Sequence, residues 1–515
     1  MSEILDLYAP LNHIPAMGND RHRYTPTWVP KTEQRRLAAY EVFSRLTANR
    51  AATLRTDPGA AQSLREYGDV ELLVTTTRDL ILGETQTLRC DDETALTWFT
   101  EWATKERLEQ KLLTLEHDAV QLGDGVAVLG WNTLKNRPVL RVYNPGFYFP
   151  APTIDDDEYP STVAIAYEWE NTSGTKFVRR YLWQLIDTRE TTSFKYGSAG
   201  TFTCMYAAHD IRLDSLTAGR DVHDLTMGSV QYSLLIDPDG ESVEFVDMGV
   251  DFIPVVHVPN TPSTEEDFGE SVLLYASQAL ADLQNSDTDL AMAAQQAAPP
   301  LVTDEDYGDL PGGPGAVWGT GTGTKYLDTS KNLTALQSHI SGLKDRIAET
   351  TRVSKVLLGQ VQPNEVPSGY ALELGFHPSR NLLQSLRTVR SEKYPLILKF
   401  AYRLAQTAGA IPSGKTPHAW IELGAALPAD KPTAIDQVKE MRSAKAMSTV
   451  TAVKTLQAAG FPIEDAQTEV ALIKQEWFEE AYNLVRATGD ATAARTLLGL
   501  AAPMVRTVEP ETPDE

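Results

Sequence analysis

Two long helical stretches of similar length, separated by a segment rich in glycine and proline, constrain this chain more than any other feature. Apolar residues recur at helical spacing over residues 268–298, about 30 residues or ~45 Å of helix. They recur over residues 333–357, about 25 residues or ~38 Å. Between them, residues 299–330 contain seven glycines and four prolines, which exclude a helix. The sequence therefore predicts an antiparallel helix pair with a small loop-and-strand module at its tip.

The residues before this pair indicate a mixed α/β region that follows an extended arm over residues 1–30. A helical stripe over residues 31–50 carries Leu37, Tyr40, Phe43 and Leu46. Residues 70–83 mix a strand-like run with a short helix. Residues 92–122 indicate one helix, which Gly123-Asp124-Gly125 ends before a strand over residues 126–131. Short apolar runs between turn-forming residues predict antiparallel strands over residues 138–260.

The residues after the pair predict helices separated by short breaks. A polar segment over residues 359–369 contains prolines and glycines that bar a helix. Helical spacing resumes over residues 379–407, where Pro395 should kink the helix, and residues 417–424 indicate a strand. Thr433 and Asp436 form a capping box that opens a helix to residue 459. Further helices are predicted over residues 463–486 and 491–501, before a disordered acidic tail.

Composition limits the classes of function. The length of 515 residues suggests about two to four domains, and the 42% of hydrophobic residues can form substantial cores. No apolar run reaches the length of a membrane helix, and the first ten residues lack the basic and apolar parts of a secretory signal. The net charge of −24 should repel DNA over most of the surface, although negative charge alone also serves solubility.

Metal and catalytic sites are not indicated. Cys90 and Cys204 are the only cysteines, and neither lies in a CxxC or Cys/His cluster, which fits synthesis in a reducing cytoplasm. The nine histidines are scattered without metal-binding spacing. Residues 155–158 are acidic but lack the alternating ligands and glycine of a calcium loop, so a solvated turn is expected. We expect no catalytic residue, no metal site and no cofactor.

One string matches a nucleotide-binding pattern. Residues 409–416, GAIPSGKT, fit GxxxxGK[ST] through Gly409, Gly414, Lys415 and Thr416. A working P-loop follows a buried strand and opens a helix whose N-terminal amides hold the phosphates. Here the preceding residues are predicted helical and the following ones form a predicted strand. The match is therefore interpreted as accidental, and the alternative that it leaves is a P-loop ATPase of a packaging motor.

Several strings in order resemble the portal proteins of long-tailed double-stranded-DNA bacteriophages. They are LEHDAVQLGDGVAVLGWN, VYNPGFYFP, FVDMGVDFIPVVHVPN followed by DFGES, and PSGYALEL. Each string is weak alone, and their order and spacing over residues 35–410 carry the resemblance. The chain departs from the family at Gly375 and Pro378, which interrupt a usually continuous helix, and in an insertion that is short for a clip.

The resemblance implies an α+β portal fold whose parts follow one another along the chain. These are an N-terminal arm (1–30), an α/β wing (31–267), stem helix 1 (268–298), a clip (299–332), stem helix 2 (333–358), a tunnel loop (359–370), a kinked wing helix with a short strand (371–432), a helical crown (433–502) and a disordered tail (503–515).

The resemblance also implies a function. A portal protein is not an enzyme; it forms a ring of about twelve copies at one capsid vertex. DNA would pass through the channel during packaging and ejection without sequence recognition. The implied partners are the terminase large subunit, a head–tail adaptor, the major capsid protein and a scaffold protein, and the implied location is the virion. A different capsid or connector protein is a second alternative, which the helix–insertion–helix unit disfavours.

Family geometry places six residues at the channel. Lys344 and Lys355 would lie about 20° apart around the second stem helix, with Arg352 about 60° beyond Lys355, so that all three could meet phosphates. The competing interpretation is a solvated face balanced by Asp345 and Glu349. In the polar loop, Gln360, Gln362 and Asn364 could contact phosphate or sugar without reading sequence.

Overall fold

The computed structural model describes residues 28–48, 68–151, 160–188, 202–215, 221–223, 232–234, 246–261, 268–296, 301–302, 325–326, 330–360, 369–425, 431–458, 461, 463 and 465–489. The chain divides into two compact units, one formed by residues 1–82 and 86–422 and the other by residues 83–85 and 423–515. Most of the predicted arm, the acidic turn at 155–158, the helix at 491–501 and the tail lie outside the described residues. The last arm residues are packed, since the Trp28 indole donates to Glu168 Oε1 at 2.7 Å.

The first unit opens with four helices and a short strand. They are α1 (Gln34–Thr47), α2 (Asp69–Leu82), β1 (Gln86–Cys90), α3 (Glu93–Glu106) and α4 (Leu108–Leu122). The predicted stripe on α1 is confirmed, because Leu37, Tyr40, Phe43 and Leu46 are all buried.

The prediction of a strand-like run within residues 70–83 is wrong, because α2 covers them. Val70, Leu73, Val74 and Ile81 are buried at the three- and four-residue spacing of a helix. Thr75 and its neighbours favour strands by propensity, but burial of a continuous apolar stripe outweighs that weak preference. The Thr75 hydroxyl donates to the Glu71 carbonyl at 2.8 Å, so the helix satisfies it.

The single helix predicted over residues 92–122 is divided at Arg107, whose φ of 54° lies in the left-handed region. That conformation costs roughly 1–2 kcal/mol for a residue with a side chain. Ion pairs on both sides of the break offset this cost, because the buried Glu106 carboxylate contacts Lys111 Nζ at 2.5 Å and Arg137 Nε at 2.8 Å. Gly123 ends α4 with a φ of 106°, as predicted.

Antiparallel strands follow. They are β2 (Asp124–Asn132), β3 (Arg137–Tyr143), β4 (Tyr148–Ala151), β5 (Thr162–Glu170), β6 (Lys176–Asp187), β7 (Phe202–Arg212), β8 (Tyr232–Leu234), β9 (Val246–Asp247) and β10 (Val255–Pro259). One sheet has the order β10-β2-β3 and a larger one β4-β5-β6-β7-β8, with β9 also pairing with β7. All of these pairings are antiparallel, which confirms the strand prediction for residues 126–131 and for the described parts of residues 138–260.

The predicted helix pair is present with different bounds. It consists of α5 (Ser277–Gln296) and α6 (Ser330–Thr351), which pack against each other. Strands β11 (Leu301–Val302) and β12 (Lys325–Tyr326) pair antiparallel directly after α5 and directly before α6. The chain therefore leaves α5 and enters α6 at the same end of the pair, and the two helices run antiparallel.

The prediction that the first helix begins at residue 268 is wrong, because residues 268–271 are not helical and residues 272–276 form turns. Backbone groups of this stretch bond elsewhere: the Val272 N–H donates to the Val120 carbonyl at 3.2 Å. These backbone groups therefore do not make the hydrogen bonds of an α-helix. The prediction that the second helix continues to residue 357 is also wrong, because α6 ends at Thr351.

One helix of 39 residues, α7 (Gly369–Thr407), closes this part of the unit. It begins within the PSGYALEL string and continues through Gly375 and Pro378, so the predicted interruption there is wrong. A proline lacks one N–H and crowds the preceding turn, but packing over the rest of the helix outweighs that loss, since Leu386, Tyr394 and Leu398 are buried. Pro395 also lies within the helix. The predicted strand is β13 (Ala419–Leu423), which pairs with β1.

The second unit is mainly helical in its described part. It contains α8 (Lys431–Ser443), α9 (Thr449–Ala458) and α10 (Ala466–Thr488). The predicted capping box is wrong, because α8 begins two residues before Thr433. The helix predicted to run to residue 459 is two helices, divided after Ser443, and Lys445 in the break has a φ of 57°. The whole chain is thus a mixture of helices and antiparallel sheets, which agrees with the predicted α+β class.

Candidate functional site

The three cations predicted to share a helix face do not share one. Lys344 lies on α6, but the helix ends at Thr351, and Arg352 follows in the left-handed region with a φ of 60°. Arg352 and Lys355 therefore lie in the turns after the helix. The predicted positions of Arg352 and Lys355 around the axis of the second stem helix are therefore wrong.

A side chain of α7 terminates α6. The buried Ser379 hydroxyl donates to the Arg352 carbonyl at 2.7 Å and accepts the Ser354 N–H at 3.2 Å. Val353 and Leu358 are buried on either side of this contact. The turns over residues 352–358, which precede the predicted channel loop, are therefore held against α7.

Two of the three cations form ion pairs with carboxylates. Lys344 Nζ lies 3.7 Å from Asp69 Oδ1 on α2, and Lys355 Nζ contacts Asp345 Oδ1. Both lysines are about one-third exposed, while Arg352 is exposed. Of the three, Arg352 is the most exposed, and within the described residues it forms no ion pair with a carboxylate. The competing interpretation of a balanced face thus holds for the lysines, with Asp345 as one of its predicted partners.

The amide-bearing residues of the loop are only partly described. Gln360 is exposed, and its N–H donates to the Lys355 carbonyl at 2.9 Å. Gln362 and Asn364 lie outside the described residues. Gln360 therefore marks the last described point of the loop, on a turn whose base Ser379 fixes.

The strings that carry the resemblance meet where the chain approaches α5. The Asn260 N–H donates to the Gly123 carbonyl at 2.7 Å, and its side-chain amide donates to the Glu270 carbonyl at 2.9 Å. The Ser271 hydroxyl donates to the Gln121 carbonyl at 2.5 Å. These contacts tie the segment leading into α5 to the end of α4, although the residues involved lie far apart in sequence.

Two glycines make this junction possible. A Cβ at Gly269 would lie against the Gly123 carbonyl oxygen and 2.6 Å from the Asn260 nitrogen. A Cβ at Gly123 would meet the Gly269 carbonyl oxygen at 2.5 Å, and Gly123 also needs its φ of 106°. Real Cβ atoms do not approach backbone atoms this closely, so both positions require glycine.

A fully buried ion pair fastens α7 to the same junction. Arg390 Nη2 contacts Glu116 Oε2 of α4 at 2.8 Å, and both side chains are 0% exposed. Arg390 also donates to the Asn260 carbonyl at 2.6 Å, and the Tyr394 hydroxyl donates to Glu116 Oε1 at 2.5 Å. Burial, together with the Glu116 carboxylate, raises the pKa of Tyr394 well above its usual value. The tyrosine therefore stays protonated and serves as a donor.

A second buried carboxylate completes the junction. Asp124 accepts from the Tyr40 hydroxyl, lies 2.7 Å from His257 Nε2 and accepts the Gly269 N–H at 2.8 Å. Burial and the Asp124 carboxylate raise the pKa of Tyr40. Arg36 donates nearby to the Pro145 and Tyr148 carbonyls, each at 2.8 Å. These groups hold α1, β2 and β10 together.

The junction is built to hold elements in place. Its carboxylates each accept from several fixed donors, so neither is poised as a general base. No group of three or more metal-ligating side chains occurs in the part of the chain that the structure describes. Across the same residues, no helix is both long enough and apolar enough to span a bilayer.

The P-loop-like string lies between a helix and a strand. Residues 409–416 connect α7 to β13, as the sequence predicted for both flanks. Lys415 is exposed, and the Gln406 side chain donates to the Gly414 carbonyl at 3.3 Å. No helix begins at Thr416, so the amide groups that hold phosphate in a P-loop are not arranged here.

Comparisons with known proteins give distant likenesses. No protein-family model matches the sequence, and no curated protein does. The chain is similar to a chain of the virion of a native gene transfer agent particle, with a TM-score of 0.41, 12% identity, and coverage of 84% of this chain and 95% of that chain. It is also similar to a chain in the neck of the native particle, computed with C12 symmetry, with a TM-score of 0.40, 13% identity and coverage of 77% and 96%. A chain in the neck of the empty particle, computed with C6 symmetry, is similar with a TM-score of 0.43 and 12% identity. That match covers 84% of this chain and 95% of the other. Likenesses at this level determine neither the fold nor the function of the chain.

Proposed function

We propose that this protein is the portal of a tailed bacteriophage, a ring subunit through which DNA enters and leaves the capsid. The observation that carries the proposal is the α5–α6 pair. It is antiparallel, its far end continues into the β11–β12 pair at the base of the glycine-rich segment, and its near end is fixed to the α/β part. This order is the one that the resemblance implies for a stem and clip.

The junction before α5 is suited to carry mechanical force. Gly123, Asn260 and Gly269 bring three chain segments into backbone contact. The buried Arg390–Glu116 pair fastens α7 to the same place. A stem that carries force during DNA passage needs such an attachment, and the family strings of the sequence coincide with it.

The charge distribution suits passage without tight binding. Each phosphate contact by a free cation adds affinity through counterion release and would slow sliding. The net charge of −24 opposes such contacts, and Lys344 and Lys355 are offset by neighbouring carboxylates. In this proposal Arg352 and Gln360 face the channel and touch the DNA backbone without reading its sequence.

The proposed setting follows from this role. The protein forms a homo-oligomeric ring at one vertex of the virion, where terminase docks during packaging and an adaptor replaces it afterwards. Major capsid and scaffold proteins surround the ring. The protein works without a cofactor and catalyses no reaction.

Electron microscopy of the purified protein, with its mass in solution, tests the proposal. We expect closed rings of about a dozen copies with a central hole. A chain that forms no closed ring at any concentration, either alone or with its capsid and scaffold partners, would overturn the proposal.

The alternative of a packaging ATPase has a direct assay of its own. ATP hydrolysis by the wild-type protein and by Lys415→Ala should be equally absent, because residues 409–416 lack the strand-to-helix setting of a P-loop. Hydrolysis that Lys415→Ala abolishes would support the ATPase instead.

A further inference from the structure

The first unit contains a cavity of about 440 Å³ between α7, β10 and the residues that lead into β10. Buried apolar residues from separate segments line it, among them Val163 of β5, Ile253 and Val256 of β10. Cavities of about 300–1,000 Å³ with mainly apolar walls are the usual sites of small ligands in proteins. The size and the lining therefore match a small molecule with a substantial apolar body.

Aromatic rings in contact with one another form part of the cavity wall. The rings of Phe252 and Phe400 stack with their centroids 4.1 Å apart. The imidazole of His257 stacks on Tyr148 at 5.3 Å and meets Phe268 edge-on at 5.5 Å. Because each ring is held by a neighbour, the cavity is preformed, and a ligand would enter it without the cost of ordering these side chains.

The charged residues that line the cavity leave an excess of positive charge. Asp251 is among them, but Arg403 Nη2 contacts its Oδ1 at 2.8 Å. Lys393 and Lys399 of α7 line the cavity as well. Lys399 is exposed and forms no ion pair within the described residues, and Lys393 pairs there only with Glu392, which is 58% exposed. In a chain with a net charge of −24, the sign of the charge is thus reversed at this place.

Both lysines are available to an anion. An ion pair with an exposed carboxylate contributes little to stability, so Lys393 can exchange its present partner for a ligand. Leu396 lies between the two lysines, which are about 9 Å apart along α7, and their flexible side chains can reach one anionic group from either side. The remaining titratable residue of the lining is His257, whose Nε2 lies 2.7 Å from the buried Asp124 carboxylate.

We propose that this cavity binds a small amphipathic anion. The alkyl or aromatic body of the ligand fills the apolar interior, and its carboxylate, sulfonate or phosphate group lies against Lys393 and Lys399. An inorganic anion would leave the interior unfilled, and a neutral apolar molecule would leave both ammonium groups without a partner. The inference goes beyond the proposed function, because this site needs neither a ring nor DNA.

Two fluorescent probes with the same apolar body test the two parts of the site. Anilinonaphthalene sulfonate carries an anionic group, phenylnaphthylamine lacks it, and both fluoresce more strongly in apolar surroundings. Lys393→Met/Lys399→Met should lower the affinity of the full chain for the sulfonate by about tenfold or more, and its affinity for the neutral probe should change less than about twofold. Decanoate should displace the sulfonate from the wild-type protein.

Two matched controls lie in the second unit. Lys439→Met/Lys454→Met makes the same change in net charge at exposed positions and should leave the binding of both probes unchanged. Phe478→Ser/Tyr482→Ser removes two exposed aromatic side chains of α10 that offer the probes another apolar surface. It should leave the lysine-dependent binding of the sulfonate in place. Far-ultraviolet circular dichroism establishes that every variant is folded.

A larger side chain at the cavity tests its apolar part. Leu396→Trp should weaken the binding of both probes, because the indole occupies space that the shared body of the probes would fill. A wild-type protein without saturable binding of the sulfonate would overturn the inference. Equal affinity of the wild type and Lys393→Met/Lys399→Met for the sulfonate would overturn it as well. Either result leaves the ring of the proposed function untouched, and a chain that forms no ring can still bind the sulfonate.

Discussion

Single residues at the junction hold the first unit together, and the buried Arg390–Glu116 pair is the one with the largest expected effect. Arg390→Met leaves the Glu116 carboxylate buried without its cation, which should lower the free energy of unfolding by about 3–5 kcal/mol. Arg403→Met removes a partly exposed partner of Asp251 and should cost less than about 1 kcal/mol. Urea denaturation measures both, and equal losses would contradict the account.

The close approach of Gly123 and Gly269 gives a second prediction. Gly269→Ala forces a Cβ against backbone atoms of Gly123 and Asn260, so it should destabilise the unit by at least the ~1–3 kcal/mol typical of overpacking. Gly342→Ala on α6 is the matched control, because nothing lies within 4 Å of its Cβ and alanine favours helix by about 1 kcal/mol. The midpoint temperature of thermal unfolding should fall in Gly269→Ala and rise in Gly342→Ala. An unchanged midpoint in Gly269→Ala would contradict the requirement for glycine at that position.

His117 on α4 gives a prediction about pH. Asp118 and Glu71 raise the pKa of this imidazole, so the folded protein holds its proton more tightly than the unfolded chain does. The resulting stability is complete below the unfolded pKa of about 6.5 and is lost as pH rises through the higher folded value. His117→Gln should therefore be less stable than the wild type at pH 5 and should approach it at high pH. A difference in stability that is constant with pH would contradict this role.

The sequence strings that resemble the portal family include some residues of the junction, but nothing in the sequence indicated the others. Gly123, Asn260 and Gly269 lie in strings that resemble the family. Arg390 gave no signal, and the string that contains Glu116 did not indicate its partner, because the two residues lie 274 positions apart and each resembles an ordinary helical surface residue. Only the packing of α7 on α4 buries both of them.

At the scale of elements, Ser379 is expected to determine where α6 ends. Ser379→Ala removes the part-buried hydrogen bond to the Arg352 carbonyl, at a cost of about 0.5–1.5 kcal/mol. Amide hydrogen exchange over residues 352–360 should accelerate while exchange in α4 stays unchanged. Ser391→Ala, which alters an exposed serine of the same helix, is the control. Unchanged exchange over residues 352–360 would contradict the fastening role.

Helices were predicted well where their apolar stripe was long, and their ends were predicted poorly. The stripe on α1 and the antiparallel strands followed from periodicity. The ends of α5 and α6 did not, because the Val272 N–H and the Arg352 carbonyl bond to distant segments. Such bonds depend on tertiary neighbours, which local spacing cannot indicate. For the same reason α7 continues through Pro378, since burial further along the helix outweighs the proline.

At the scale of the whole molecule, the net charge and the order of the elements support one account. In the proposed portal, an acidic ring would let DNA slide, and the α5–α6 pair would be held at one end by the buried polar junction. The sequence predicted the α5–α6 pair and the segment between its helices, whereas the buried contacts of Arg390 and Glu116 became visible only in the structure.

The most direct test asks where the end of α6 lies in the assembled ring. Gln360 is exposed on the turn after α6, and a cysteine there can carry a maleimide-linked gold particle. The half-buried Cys90 is replaced with serine, and Cys204 is buried. Electron micrographs of rings viewed along their axis should show gold at the central hole. Gold at the outer rim would contradict the account that this turn faces a DNA channel.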